Sequence, residues 1–470
     1  MTTTTGTQTV ASRALHKGAM LAIVLVSYFM IILDNSVIFT GLPSLQAEFG
    51  MSATELAWVQ DAYTLVFGGL LLVGARAGDL LGRKPVFITG LIIFSTASLL
   101  IAIAPASWLI IAARALQGIG AAIVAPSSLA LITASFEGEE RNRAVAWYSA
   151  AAGIGASLGM VVGGAAASLF SWRAGFFINV PIGIAMLLLA PRFLPGGGKQ
   201  SGRFDVLGAV ASMLGVGALV FAILFGAEFG WDSPVPYLSA AFALVALALF
   251  VFIESRAAQP IVPLQLFSSP VRTGAYVTRL LYLASMIGFF YFTSQFLQLV
   301  FGFTPVQAGL AFLPMTIVNF VVALAIPRLV RRFGGTIILV VGVVVTLAGI
   351  FWLSRVTADS SYLVSVALPM VLIGAGQGLA LAPLTSFGIA GADASDAGAA
   401  SGVLNTFHQI GSSLGLGILV AIGTAAASSA TAGAAAVTAE VSTALLGASA
   451  FLAIATAVIL FTIVPATRRR

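Results

Sequence analysis

Ile154-Gly-Ala-Ser-Leu-Gly-Met160 recurs 256 residues later as Ile410-Gly-Ser-Ser-Leu-Gly-Leu416. Two further pairs follow the same order at nearly the same offset. Ala125-Pro126-Ser127 returns as Ala382-Pro383-Leu384 after 257 residues, and Ser52-x-x-Glu55 returns as Thr304-x-x-Gln307 after 252. The last pair reads as two capping boxes, in which a hydroxyl and a carboxylate or amide satisfy free N–H groups of a first helical turn; Pro305 takes the first helical position. Each match is short, but three in one order indicate a duplicated chain. All of them border or occupy apolar runs of about 20 residues, the length that crosses ~30 Å of hydrocarbon.

Fourteen such runs are expected, near 20–41, 55–77, 86–104, 108–132, 142–169, 174–191, 206–226, 237–254, 273–300, 306–327, 335–354, 361–384, 398–424 and 444–465. The last two borders are soft because 420–445 is rich in Ala, Ser and Thr, and twelve is the competing count if two runs lie at the interface. The expected fold is all-α and membrane-integral: a six-helix bundle over 1–191, a linker plus two inserted helices over 192–272, and a second six-helix bundle over 273–470. Two halves around a midplane site, one rocking against the other, is transporter architecture. The opening 20 residues are polar, without a small-residue cleavage site, so the run from Leu21 reads as a first span and not as a cleaved signal.

Composition agrees. Of 470 residues 59% are hydrophobic and 8% charged, with mean hydropathy +1.07; a soluble domain carries roughly 25% charge. The chain has no cysteine and two histidines, which excludes disulfides, thiolate chemistry and a His-rich metal centre. The +6 charge and pI near 9.9 do not mark a nucleic-acid binder, because of where the cations lie. With fourteen spans, 18 of the 22 Lys and Arg fall in one set of loops, Arg173 and Arg355 in the other, and Arg114 and Arg279 within spans. Short cytoplasmic loops are the Lys/Arg-rich ones, so both termini are expected in the cytoplasm of a multi-pass protein of the cell (inner) membrane.

Charges inside the bilayer call for an explanation, since each costs at least ~2.5–3.5 kcal/mol on insertion scales. At ~1.5 Å per residue, Asp34 lies about 21 Å from the inner face, and Asp61 and Arg114 about 9 Å below the outer one, so the three share a level. Two carboxylates and an arginine in one layer can hold a proton: the cation favours the ionised acid, while burial or a second acid favours the protonated one. Structural pairing or capping of an outer vestibule is the alternative. On span 5, Gly155, Gly159 and Gly163 form one smooth stripe, expected at the interface between the halves. On span 9, Tyr291, Gln295 and Gln298 share a face, either as a mixed polar and apolar binding cavity or as glue between helices. Span 13 offers Asn405 and His408; a lone histidine can titrate near neutrality or simply hydrogen-bond.

The loop after span 2 reads Gly74-Ala-Arg-Ala-Gly78-Asp79-Leu-Leu-Gly82-Arg83-Lys84. Glycines at i, i+4 allow close helix approach, Gly82 breaks the helix, and Asp79, opposed by the dipole at a helix C-terminus, needs a partner: an arginine or another helix N-terminus. The string resembles the most characteristic motif of the major facilitator superfamily, in which the Asp and Arg are understood to hold the cytoplasmic side closed. Leu33-Asp34-Asn-Ser-Val37 with Leu42-Pro43 resembles the first-helix signature of its fourteen-helix drug:proton antiporters. Arg114-Ala-Leu-Gln117-Gly118-Ile-Gly120 resembles a motif whose Arg is linked to proton transfer, and Gly155-x3-Gly159-Met-x2-Gly163-Gly164 the antiporter motif, with Met160 where Pro is usual. The resemblance covers essentially the whole chain. It implies proton-coupled export of lipophilic small molecules such as drugs, with a dedicated exporter or importer of a single metabolite as the alternative.

A P-loop is absent from the sequence, and the longest hydrophilic loop, near 192–205, is too short for a nucleotide-binding domain, so the expected energy source is an ion gradient. No catalytic constellation suggests an enzyme. The expected partners are a small-molecule substrate, protons and the lipid bilayer, with no nucleic acid, cofactor or metal, for a chain acting as a monomer.

Overall fold

In the computed structural model of the chain, residues 4–196, 205–257, 260, 262, 264–391 and 397–468 are described. Most of the expected linker (197–204, with Lys199 and Arg203) and the last two arginines lie outside them. The helices are α1 Thr4–Phe49, α2 Ala53–Leu81, α3 Arg83–Ala102, α4 Ser107–Ser135, α5 Gly138–Leu169, α6 Trp172–Phe193, α7 Val206–Phe229, α8 Pro234–Arg256, α9 Pro270–Leu299, α10 Pro305–Phe333, α11 Gly335–Leu353, α12 Leu363–Gly388, α13 Ala397–Ala427 and α14 Ala434–Thr467. Thirteen are long and apolar enough to cross a membrane; α5, 32 residues long, is the fourteenth, with an apolar segment over Leu158–Leu169. The chain is therefore an all-helical, multi-span membrane protein, and the described residues contain no strand.

The local chemistry read from the sequence sets the helix ends. Ser52 Oγ accepts from the Glu55 amide at 3.2 Å while Glu55 Oε2 accepts from the Ser52 amide at 2.9 Å, and Thr304 and Gln307 repeat the arrangement at 3.3 and 2.9 Å. Gly82, with φ 100°, turns α2 into α3 in a region closed to most side chains. Two boundaries differ from expectation. The Ala-rich stretch from Ala434 is already helical, because alanine is the best helix former even where its hydropathy is weak. The sixth span is interrupted at Ile178, between Trp172–Phe177 and Asn179–Phe193.

Helices α1 to α6 pack on one another, as do α9 to α14, and the two groups meet along α2 with α13, α5 with α10, and α1 with α9. The inserted α7 and α8 form a hairpin, α7 lying on α2 and α13. Only 17% of the apolar window of α8 is buried, so this helix turns most of its surface to lipid.

Counting α5 as a crossing gives fourteen, which puts both chain ends at one end of the bundle, here called the terminal end. At the opposite, distal end α5 and α10 touch backbone to backbone. A Cβ on Gly164 would strike the Pro305 carbonyl and stand 2.9 Å from Val306 Cα, and one on Gly309 would strike that of Met160. Val306 N donates to Ser168 Oγ at 3.0 Å, and Ser294 Oγ to the Phe39 carbonyl at 2.8 Å. This seal corrects the expectation for the glycine stripe. Gly155, Gly159 and Gly163 face α1 within the first bundle: a Cβ would come within 3.2 Å of Ile32 Cβ, 2.7 Å of the Leu33 carbonyl and 2.8 Å of Val37 Cα, respectively. The stripe closes an intra-bundle contact, and the neighbouring Gly164, one residue further round the helix, meets the other half.

Candidate functional site: a buried ion pair in the first bundle

The arginine and one of the two carboxylates singled out by depth do meet. Arg114 Nη1 lies 2.8 Å from Asp34 Oδ2, with both side chains fully buried. A buried pair holds only if its remaining hydrogen-bonding capacity is met, since desolvation costs several kcal/mol per ion. Here it is met. Arg114 also donates from Nε to the Val59 carbonyl at 3.0 Å, from Nη1 to Gln117 Oε1 at 2.7 Å and from Nη2 to Gln60 Oε1 at 3.3 Å. Asp34 Oδ1 accepts from Gln117 Nε2 at 2.9 Å and Asn179 Nδ2 at 2.6 Å. Gln117 reaches on to Ser98 Oγ at 2.8 Å, and the Tyr63 ring lies 4.3 Å from the guanidinium. Five helices, α1, α2, α3, α4 and α6, thus place polar groups around one carboxylate in an apolar bundle. Gln60, Ser98 and Asn179 were not singled out from sequence; an amide or hydroxyl on an apolar span is the signal they carry.

Asp61 is elsewhere. It is fully buried, its two carboxylate oxygens have no hydrogen-bond partner, and it makes no ion pair with Arg114. Successive helical residues point about 100° apart, so where Gln60 reaches Arg114, Asp61 faces Ser413 of α13, which stands beside it without hydrogen-bond geometry. Tyr291 of α9 lies within electrostatic reach of both Asp61 and Glu440 of α14, a carboxylate the sequence reading passed over.

The remaining candidates do not converge. Tyr291 Oη approaches the Ala53 carbonyl at 3.5 Å, while Gln295 and Gln298 bond to their own helix, at Tyr291 O and Ser294 O. Asn405 is exposed and donates to the Ser401 carbonyl, and His408 Nδ1 lies 3.0 Å from Arg279 Nη2. At the terminal end, Asp79 finds its arginine within its own motif, Arg83 Nη2 at 3.3 Å, on partly exposed side chains; such a pair is worth ~0–1 kcal/mol. Arg83 also donates to the Ala130 carbonyl at 2.8 Å and Lys84 to that of Pro191 at 2.6 Å. A Cβ on Gly78 would stand 3.6 Å from Ser127 Oγ and one on Gly74 would strike the Ala122 carbonyl, so the motif ties α2 and α3 to α4 and α6.

Two helical bundles sealed at one end, with a fully satisfied ion pair buried in the first, define a membrane transporter of the alternating-access kind. The Major Facilitator Superfamily profile matches residues 24–416. The chain is 39% identical to the cephamycin export protein CmcT of Amycolatopsis lactamdurans over 84% of its own length and 83% of that protein's. It is 35% identical to the puromycin resistance protein pur8 of Streptomyces alboniger over 86% and 82%. Among solved structures, a bacterial homologue of the human lysosomal transporter Spinster, in its inward-facing and unoccupied conformation, superposes with a TM-score of 0.67 at 16% identity, over 95% of this chain and 97% of that one. The chain belongs to the major facilitator superfamily, a family of transporters and not of enzymes, and its relatives are drug and antibiotic efflux proteins.

Proposed function

We propose that the protein exports lipophilic small molecules in exchange for protons, with Asp34 carrying the proton. The observation that supports this most directly is the buried Asp34–Arg114 pair, whose carboxylate can be loaded or unloaded only through a polar cluster. Export is the direction that the name of the relative CmcT, an export protein, gives. The name of CmcT, an export protein for one compound class, favours the single-compound exporter as the second reading.

The terminal end is cytoplasmic on this reading, because the loops that a fourteen-span count assigns to that side hold 18 of the 22 Lys and Arg of the sequence. A reporter fused after Gly230 is expected outside the cell; an intracellular signal would reverse the orientation. Asp79 and Arg83 act as a cytoplasmic latch without touching substrate, and Asp61 assists the coupling. In proteoliposomes holding only this protein, an imposed pH gradient is expected to move a lipophilic dye uphill while protons flow the other way, and Asp79→Asn to slow that movement while leaving dye binding within a few-fold. Dye movement without opposing proton flux would contradict the exchange, and complete loss of binding in well-folded Asp79→Asn would contradict the latch.

A further inference from the structure

Three arginines are buried among the described residues. Arg272, near the start of α9, donates to the Leu266 and Gly391 carbonyls at 3.0 and 2.8 Å; the two deeper in the spans, Arg114 and Arg279, are opposites. Arg114 has all three guanidinium nitrogens engaged and a carboxylate beside it. Arg279, on α9 of the second bundle, is 9% exposed, and its Nε and Nη1 have no partner. None of the four ion pairs among the described residues includes it. Its one hydrogen bond is from Nη2 to His408 Nδ1 on α13, at 3.0 Å. Arginine can only donate, so Nδ1 accepts, the ring is neutral, and its proton sits on Nε2 as a further donor. Across the bundle interface the charge is felt, without cation–π contact, at Tyr28 of α1, whose ring stacks on Tyr148 of α5 at 3.9 Å and 13°. A guanidinium held in a membrane bundle with its donors idle is costly, and a ligand that supplied the missing anion would relieve that cost.

We propose that Arg279 and His408 form the binding point for the carboxylate of an otherwise lipophilic substrate, with the Tyr28–Tyr148 stack offering an aromatic face to its apolar body. The proposal rests on the transport reading above and names its substrate class. The anion binds in the second bundle and the proton in the first, so that loading of one is felt by the other through the helices that join them. The same guanidinium could be met by a lipid phosphate, which shares the carboxylate's charge and acceptor geometry.

The test is binding of 1-pyrenebutyrate and of its methyl ester to the protein in phosphatidylcholine vesicles. Wild type is expected to prefer the acid by about tenfold or more, the scale of one charge-assisted hydrogen bond. Arg279→Gln should remove the preference and leave ester binding within a few-fold, Arg279→Lys should keep most of it, and His408→Phe should reduce it. Equal binding of acid and ester by wild type, or equal loss of both in Arg279→Gln, overturns the proposal; the wild-type comparison decides it even if Arg279→Gln does not fold. Loss of the preference when phosphatidylglycerol is added to the vesicles would assign the site to lipid and overturn it for a solute. Uptake of the neutral ester driven by a pH gradient reports separately on the transport reading, so the two can fail independently.

Discussion

Asp34→Asn is expected to abolish efflux driven by a pH gradient while exchange of substrate at equal pH partly survives. The amide keeps the size and most hydrogen bonds of the carboxylate, so Gln117 and Asn179 retain a partner at Oδ1, but it cannot exchange a proton with the aqueous path. An exchanger must load either proton or substrate, and without the first load only the second remains. The substitution also leaves Arg114 without its anion, and removing one member of a buried pair typically costs about 3–5 kcal/mol. Expression and melting temperature therefore have to be read beside transport. Asp61→Asn, at a carboxylate with no cation beside it, should be the milder change. If Asp34→Asn still accumulates substrate against its gradient with unchanged pH dependence, Asp34 is structural and the coupling group lies elsewhere.

Gly164→Leu should disable transport from the other direction, by preventing distal closure. A Cβ there meets the Pro305 carbonyl, a backbone atom that no rotamer change can move aside. Overpacking typically costs about 1–3 kcal/mol, which moves the balance between closed and open distal ends about 5- to 150-fold. Because the chain has no cysteine, a single Ser294→Cys, placed where Oγ now meets the Phe39 carbonyl, reports the change cleanly. A membrane-impermeant maleimide added on the distal side should label it faster in the Gly164→Leu background, with transport falling in step. Unchanged labelling and unchanged transport would remove the seal from the cycle.

What the sequence made legible follows from what is periodic or local. Helix number, the two capping boxes and the break at Gly82 rest on runs and short-range hydrogen bonds, and all are present. Depth along a helix is also a simple count, and Asp34 and Arg114, which it sets at one level, lie 2.8 Å apart across 80 residues. Azimuth is different. Nothing in the runs says which way a helix is rotated against its neighbours, so depth alone groups Asp61 with Arg114 although Gln60 takes that direction, and it leaves the glycine stripe expected between the halves although it faces α1. Arg279 was noted only as a charge within a span, because its link to His408 depends on the register of α9 against α13, 129 residues apart. Glu440 was hidden in an Ala-rich stretch whose helix begins before its hydropathy rises.

The hairpin of α7 and α8 makes the molecule unequal to the bilayer on its two sides. A pair of related bundles has two lateral seams, one along α2 and α13 and one along α5 and α10. Helix α7 covers the first: Met213 closes on Gly69 of α2, where an added Cβ would sit 3.1 Å from it, and Val220 and Leu224 lie 3.6 and 3.8 Å from the corresponding position on Gly417 of α13. An amphiphile dissolved in the hydrocarbon meets a helix already in place on that side. The α5–α10 seam, held at its distal end by backbone contact and the Val306–Ser168 hydrogen bond, has no inserted helix over it among the described residues, so crowding by lipid of a given leaflet will act more on that flank of the protein than on the other.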